Sequence, residues 1–353
     1  INCSFLNNYA ASDGSAINSV GAGLTIEGSS FLDNVTEGGG AIASVVTGFT
    51  MTNTLIHNNS GADGGGIYTS NSDVIILNST VSYNSCLKEG GGIYSYGGSI
   101  NIDSTDISYN SSSGADQPHG GGIFSNMSDV NISNSTISFN ESLRGGGLDI
   151  NSNETTPNSI SITSTLISNN IANDNYGGGG IAFNTVTAEL NYITVAGDSL
   201  VFHNGGYAGE SIQFTNRCFV DIKNSIINKS IYIANPEQNG NVDINYSLVS
   251  GGYEGTGNID ADPLFCNADS SDFTLYDNSP CVGTGQDGAN MGAFGIGCNA
   301  EQYAGPNWFV SINGSDDNDG SEENPFATIQ RAIDAGNEVI VLPGTYSGNN
   351  TIN

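Results

Sequence analysis

The sequence predicts an all-β fold: a parallel β-solenoid of about ten three-stranded turns over residues 1–300, then a short helix-containing segment over 301–353. Three observations carry this expectation. A thirteen-residue segment recurs every 25–30 residues, the same chemistry repeats down its columns, and a glycine triplet introduces a further strand after each copy.

The copies are AGLTIEGSSFLDN (22–34), TGFTMTNTLIHNN (47–59), SDVIILNSTVSYN (72–84), GSINIDSTDISYN (98–110), SDVNISNSTISFN (128–140) and NSISITSTLISNN (158–170). Their last residues, Asn34, Asn59, Asn84, Asn110, Asn140 and Asn170, are spaced by 25, 25, 26, 30 and 30, and a half-copy ends at Asn8. The third position is Leu24, Phe49, Val74, Ile100, Val130 and Ile160, and the fifth is Ile26, Met51, Ile76, Ile102, Ile132 and Ile162. Two residues apart, both point to one face of a strand, with polar residues between them facing out. The eighth position is always Ser or Thr and marks a corner. The tenth (Phe31, Ile56, Val81, Ile107, Ile137, Ile167) points inward again. Each copy therefore predicts two short strands.

A third strand follows in GGGAIAS (38–44), GGGIYTS (64–70), GGGIYSY (90–96), GGGIFSN (120–126), GGGLDIN (145–151) and GGGIAFN (178–184). Glycine turns the chain through backbone conformations closed to other residues. Stacked at the strand spacing of a sheet, about 4.8 Å per turn, the copies form ladders of aliphatic residues inside and of asparagine amides at the turns. Residues 219–230 and 241–252 keep the columns, with Val220, Ile222, Ile227, Val242, Ile244 and Val249 inward; between about 185 and 215 the register blurs.

Lys and Arg total 6 against 36 Asp and Glu, a net charge of −30. Such a surface repels nucleic acid and anionic membranes and attracts cations. No apolar run approaches the length of a membrane span, and residue 1 is not Met, so a natural N-terminus lying upstream is expected. Six cysteines without CxxC spacing suit disulfides or buried thiols in an oxidising compartment. Fourteen Asn-x-Ser/Thr triplets add to the expectation of an extracellular or cell-surface location. Ladder positions lower the claim of Asn34, Asn110 and Asn140 to carry glycans. The candidates are Asn78, Asn126, Asn131, Asn134, Asn153, Asn228, Asn313 and Asn349, with Asn131 outward between Val130 and Ile132.

FLDN (31–34) with GGAI (39–42), together with SFLNN (4–8) and SFN (138–140), resembles the polymorphic outer membrane protein repeat over residues 1–185. Most copies here carry GGG in place of GGA, so the broader right-handed parallel β-helix repeat family is the better comparison. That resemblance implies cell-surface structural or adhesive proteins. Residues 259–298, with DPLF, SPC and GAFG, resemble the segment that closes many secreted β-helices; the cysteine spacing there implies a Cys266–Cys281 disulfide. Residues 308–348 resemble the cap that opens such a helix. Asn324 as N-cap, Pro325 at the first helical position, Phe326, Ile329 and Ile333 on one face and Gly336 at the end predict its helix.

An opening cap at the far end and a bare first turn predict head-to-tail self-association, or a slice of a longer tandem array. Catalysis is not expected. The cations Lys88, Arg144, Arg217, Lys223, Lys229 and Arg331 are scattered apart from Lys223 and Lys229 on one turn, and Asp103 and Asp106 share a turn as acids do by chance. His57 and His203 lack partner patterns, and His119 in DQPHGGG (116–122) resembles the His-bearing motifs of β-helix enzymes but lacks their flanking acids. The alternative is a secreted polysaccharide-active enzyme. No cofactor is required; Asp316, Asp317 and Asp319 offer clustered oxygens for Ca²⁺, without the twelfth-position Glu of an EF-hand.

Overall fold

The computed structural model describes residues 2–115, 117–153, 158–173, 177–200, 209–234, 240–299, 307–335 and 338–346. The chain divides into two compact units, Ile1–Cys298 and Asn299–Asn353. The first is a parallel β-solenoid of about 11 turns.

Among the described residues three parallel sheets line it. The first has ten strands, running from Ser4–Leu6 through Thr80–Ser82 to Leu248–Val249. The second has eight strands, each of two residues, from Tyr9–Ala10 to Ser199–Leu200. The third has sixteen, because it takes both the glycine-led strand and the strand that opens the next copy. In two turns these fuse into the eleven-residue strands Ile67–Leu77 and Ile93–Asp103. The second sheet adds a strand the sequence pattern does not assign: the residues just after each terminal asparagine pair between turns. They stack in register whatever the spacing to the next triplet, so insertions such as 113–118 leave the ladder intact.

Register is strict. Ile42, Ile67, Ile93, Ile123, Leu148, Ile181 and Ile212 pair in succession, as do Phe31, Ile56, Val81, Ile107, Ile137, Ile167 and Val195. All are buried in one continuous core. The stretch that reads ambiguously contains Thr187–Asn191 and Thr194–Ala196, whose Ala188, Leu190 and Val195 continue that core.

Polar ladders tie the turns together. Each terminal asparagine up to Asn140 gives its backbone N–H and its Nδ2 to the Oδ1 of the asparagine one turn on; from Asn110 to Asn140 these distances are 2.9 and 3.0 Å. The second Nδ2 hydrogen goes to a carbonyl of the preceding turn, from Asn110 to Val81 at 2.9 Å. Each amide is thereby satisfied although buried. The eighth-position hydroxyls do the same work at the corner: Ser79 Oγ donates to the Leu77 carbonyl and accepts from Thr54 N–H. Within the glycine triplets, Gly64, Gly90, Gly120 and Gly145 take φ between 57° and 71°. A Cβ on the next residue, Gly91, would lie 2.4 Å from the Gly121 carbonyl oxygen.

Residues 263–298 lie along the outer side of the first sheet. Leu275, Cys281 and Met291 pack on Ile226 and Leu248, while Phe273 packs on Leu166 and Ala196. Thr194 Oγ1 accepts from Ala293 N–H at 2.9 Å. The disulfide joins Cys266 to Cys298, which corrects the expected Cys266–Cys281 pairing. Asp272–Tyr276 lies between Phe265–Asn267 and Ile296–Cys298, bringing their cysteines together, while Cys281 is buried in the apolar layer as a free thiol. Closing 32 residues in place of fifteen contributes about 4 kcal/mol in the chain-entropy picture.

In the second unit Asn307–Val310 pairs in parallel with Glu338–Val341, and helix Ile329–Ala335 lies between them in the chain. Trp308, Val310, Phe326 and Ala332 form its core. The helix begins four residues later than Pro325 predicts. Phe326 is extended and exchanges backbone bonds with Phe309 and Ser311, and Thr328 Oγ1 caps the helix by accepting from Arg331 N–H at 3.2 Å. Gly336 lies outside the described residues. Among the described residues no helix is long and apolar enough to cross a membrane.

Replacing Asn110 by Ala leaves the buried Asn84 donors unpaired and removes the side-chain bond to the Val81 carbonyl. A loss of about 2–4 kcal/mol by urea unfolding is expected. Asn131→Ala, at an exposed outward position, should stay within about 0.5 kcal/mol of the parent.

Candidate functional site

Two outward columns carry chemistry. The first is the residue before each glycine triplet. Stacking brings Asp63, Glu89, His119 and Arg144 onto successive turns, through Gly64 N–H to the Glu89 carbonyl and through the parallel bridges Glu89–His119 and His119–Arg144. Beside it runs the second position of the glycine-led strand: Tyr68, Tyr94, Phe124 and Asp149. Their rings stack, Tyr68 on Tyr94 at 5.0 Å and Tyr94 on Phe124 at 5.6 Å.

The Asp149 carboxylate is fully buried and paired with Arg144, Nε to Oδ2 at 2.7 Å and Nη2 to Oδ1 at 2.9 Å, with Asn151 also donating to it. His119 Nδ1 stands 3.8 Å from the same carboxylate, and Lys88 Nζ stands 3.9 Å from Asp63. Burial, helped by the charges of Asp63 and Asp149, pushes the Glu89 carboxyl up to about 7. Burial also raises Asp63 and the Tyr68 and Tyr94 phenols. A half-buried acid that holds its proton near neutrality, beside a second carboxyl, is equipped to donate or accept a proton.

The second column lies on the solvent side, at the residue before each ladder asparagine. Tyr83, Tyr109 and Phe139 are 51%, 44% and 37% exposed and stack at 4.7 and 4.8 Å with nearly parallel planes. Each has φ of 55–56°. Other turns fill this left-handed position with Asn7, Asp33, Asn58, Asn169 and Gly197, residues that tolerate it. An aromatic residue there costs about 1 kcal/mol or more, against about 0.5–1.5 kcal/mol gained per stacked pair. His57 tilts against Tyr83 at 5.1 Å and its Nδ1 meets Ser82 Oγ.

The other expected positions fall as follows. Asn78, Asn131, Asn134 and Asn313 are exposed, Asn126, Asn153 and Asn228 are half-buried, and Asn349 lies outside the described residues. Asn34, Asn110 and Asn140 are buried in the ladder. Asp316 accepts from the backbone N–H of Ala327 and Thr328 and from the Thr328 hydroxyl, and Asp319 accepts from Ser321 N–H. Among the described residues no three His, Cys, Asp or Glu side chains are grouped to hold a metal ion. Lys223 pairs with Asp221 on its own strand. Asp103 and Asp106 flank the Thr105 corner, Asp103 lowered by bonds from Ser133 and Asn134, Asp106 raised by burial.

Reading His119 alone missed the charged column. Its signal is present in DGGG, EGGG, HGGG and RGGG, at 63–66, 89–92, 119–122 and 144–147, once these are aligned as a column.

Residues 312–351, within the second unit, match a family described as a protein of unknown function (DUF1565). No curated protein and no solved structure matches the chain significantly.

Glu89 makes stability pH-dependent. Its folded-state value lies above the ordinary 4.5, so its contribution falls as pH rises from 4.5 toward about 7 and then levels off. The unfolding-midpoint gap between Glu89→Gln and the parent should move in the variant's favour across that window; a gap that does not change with pH would contradict the assignment.

Proposed function

We propose that this chain is an extracellular, structural and adhesive β-solenoid that continues end to end into a fibre. The observation that carries the reading is the exposed aromatic ladder. Three rings stand in solvent at positions their own backbone disfavours, an arrangement typical of sites kept for contact. Ring edges interspersed with phenol hydroxyls form an amphipathic strip suited to the mixed apolar and hydroxylated surface of a polysaccharide.

The fibre rests on the first turn. Phe5, Ile17 and Leu24 are only partly buried, whereas their register partners Phe31, Ile42 and Phe49 are 0%, 0% and 3% exposed. Another turn stacked there covers them and pairs the open strand edges. Residues 299–353 of a second copy, which hold a parallel strand pair, are the proposed source; the preceding turn of a tandem chain supplies the same chemistry. The Cys266–Cys298 disulfide and the exposed sequons support an oxidising, glycan-bearing location.

A second reading, glycan hydrolysis, is favoured by one observation: Asp63 and Glu89 occupy equivalent positions on adjacent turns. Such positions are about 4.8 Å apart, near the carboxyl separation of about 5 Å in retaining glycosidases. Glu89 then supplies the proton and Asp63 the nucleophile.

Electron microscopy of the purified protein should show filaments with an axial repeat near one subunit, lost on deletion of 299–353. Monodisperse short particles would defeat the assembly proposal, and a native mass equal to the bare 36.4 kDa chain would remove the glycans.

The variant Tyr83→Asn, Tyr109→Asn, Phe139→Asn should keep its unfolding free energy within about 2 kcal/mol of the parent and lose binding to insoluble polysaccharide by at least about tenfold. Undiminished binding removes the aromatic strip from the adhesive role. Release of reducing sugars that disappears in Glu89→Gln would establish the hydrolytic reading instead.

A further inference from the structure

The asparagine ladder ends on an acid. Asn170 gives its backbone N–H and its Nδ2 to Asp198 Oδ1 at 2.8 and 3.0 Å, as every earlier asparagine does to the amide oxygen of the next. In the earlier turns the other side-chain atom, Nδ2, donates to the carbonyl three residues before the previous ladder asparagine. Asn34 reaches Phe5, Asn59 Phe31, Asn84 Ile56, Asn110 Val81, Asn140 Ile107 and Asn170 Ile137, all at 2.9–3.1 Å. The same period assigns Asp198 the carbonyl of Ile167. In that place Asp198 has Oδ2, which is buried, accepts no hydrogen bond and lies 2.9 Å from where a Gly180 Cβ would stand.

An ionised Oδ2 there would face a carbonyl oxygen with no donor among the described residues. A protonated one reproduces the missing N–H. We propose that Asp198 is the proton-dependent last link of the ladder: as the neutral acid its Oδ2–H donates to the Ile167 carbonyl, and loss of that proton loosens the turns beyond it. The proton comes from and returns to solvent, and no covalent bond changes.

Burial pushes Asp198 well above the ordinary carboxylate value, the bonds from Asn170 opposing it only in part. The segments packed around it are the Asn170 turn, the Gly177–Gly180 turn and the turns holding Glu210 and Lys229. Among the described residues the first two bring no charge. Glu210 is half-buried, meeting Gly180 through its backbone carbonyl, and Lys229 is exposed. Among the described residues none of these charges shifts Asp198, on which burial acts against the Asn170 bonds and its own backbone N–H. Because the folded-state value is raised, the stabilising contribution is complete below the ordinary value of 3.8 and falls as pH rises above it. The solenoid is thus tightened by acid at one turn.

The test compares the intact protein with Asp198→Asn and Asp198→Ala by urea unfolding from about pH 4 to about pH 8. Asp198→Asn should gain on the parent progressively as pH rises, because its amide supplies the donor at every pH. Asp198→Ala, lacking both oxygens, should lie below Asp198→Asn by a pH-independent margin. A parent as stable as Asp198→Asn at the highest pH, or a gap that does not change with pH, overturns the proposal. Infrared spectroscopy reads the proton directly even if a variant fails to fold: the parent should show a buried protonated-carboxyl band at neutral pH, and its absence overturns the assignment.

Discussion

Everything in this molecule depends on one constraint: a turn of parallel solenoid places each residue about 4.8 Å from its equivalents above and below. An apolar column under that constraint becomes a continuous core, as from Phe31 to Val195. A buried polar column survives only if each member donates one way and accepts the other. Asparagine meets that condition with a single side chain, which is why seven successive turns carry it from Asn8 to Asn170. Serine and threonine meet it at the corner by bonding their own turn and accepting from the preceding one.

The same spacing makes charge expensive. Like charges one turn apart repel at close range, and in the column before the glycine triplets the chain answers by changing sign along the axis. Asp63 and Glu89 give way to His119 and Arg144, and Arg144 in turn neutralises the buried Asp149. Where two acids remain adjacent, burial and the neighbouring negative charges push the Glu89 carboxyl up to about 7. Stacked rings have no such penalty, and the solvent-facing ladder of Tyr83, Tyr109 and Phe139 accepts backbone strain to exist. The solenoid is therefore both a stiff support and a ruler that sets side chains at fixed intervals on its surface.

The inward columns, the asparagine ladder and the turn period were legible because they are periodic: each residue announces its role by recurring. The merging of two expected strands into one sheet was not legible, since whether a bend at 71–72 or 97–98 interrupts pairing depends on backbone geometry. Nor was the helix start. Pro325 is a good first helical residue, yet Phe326 is claimed by strand pairing with Phe309, and the helix waits for Thr328.

Sequence alone thus determined the fold class, the register of the regular copies and which of their residues face inward, because local alternation and recurring columns leave one way to stack them. Tertiary structure alone decided the contacts that cross between dissimilar segments. Cys266 pairs with Cys298 and not Cys281 because residues 263–298 fold back on the side of the first sheet, where Cys281 fills an apolar layer. His119 meets Arg144 and Asp149 because an insertion of variable length returns to the ladder in register. The disulfide and the approach of His119 to Asp149 arise from distance in space, whereas the stacking of His119 on Arg144 is written in the aligned HGGG and RGGG segments.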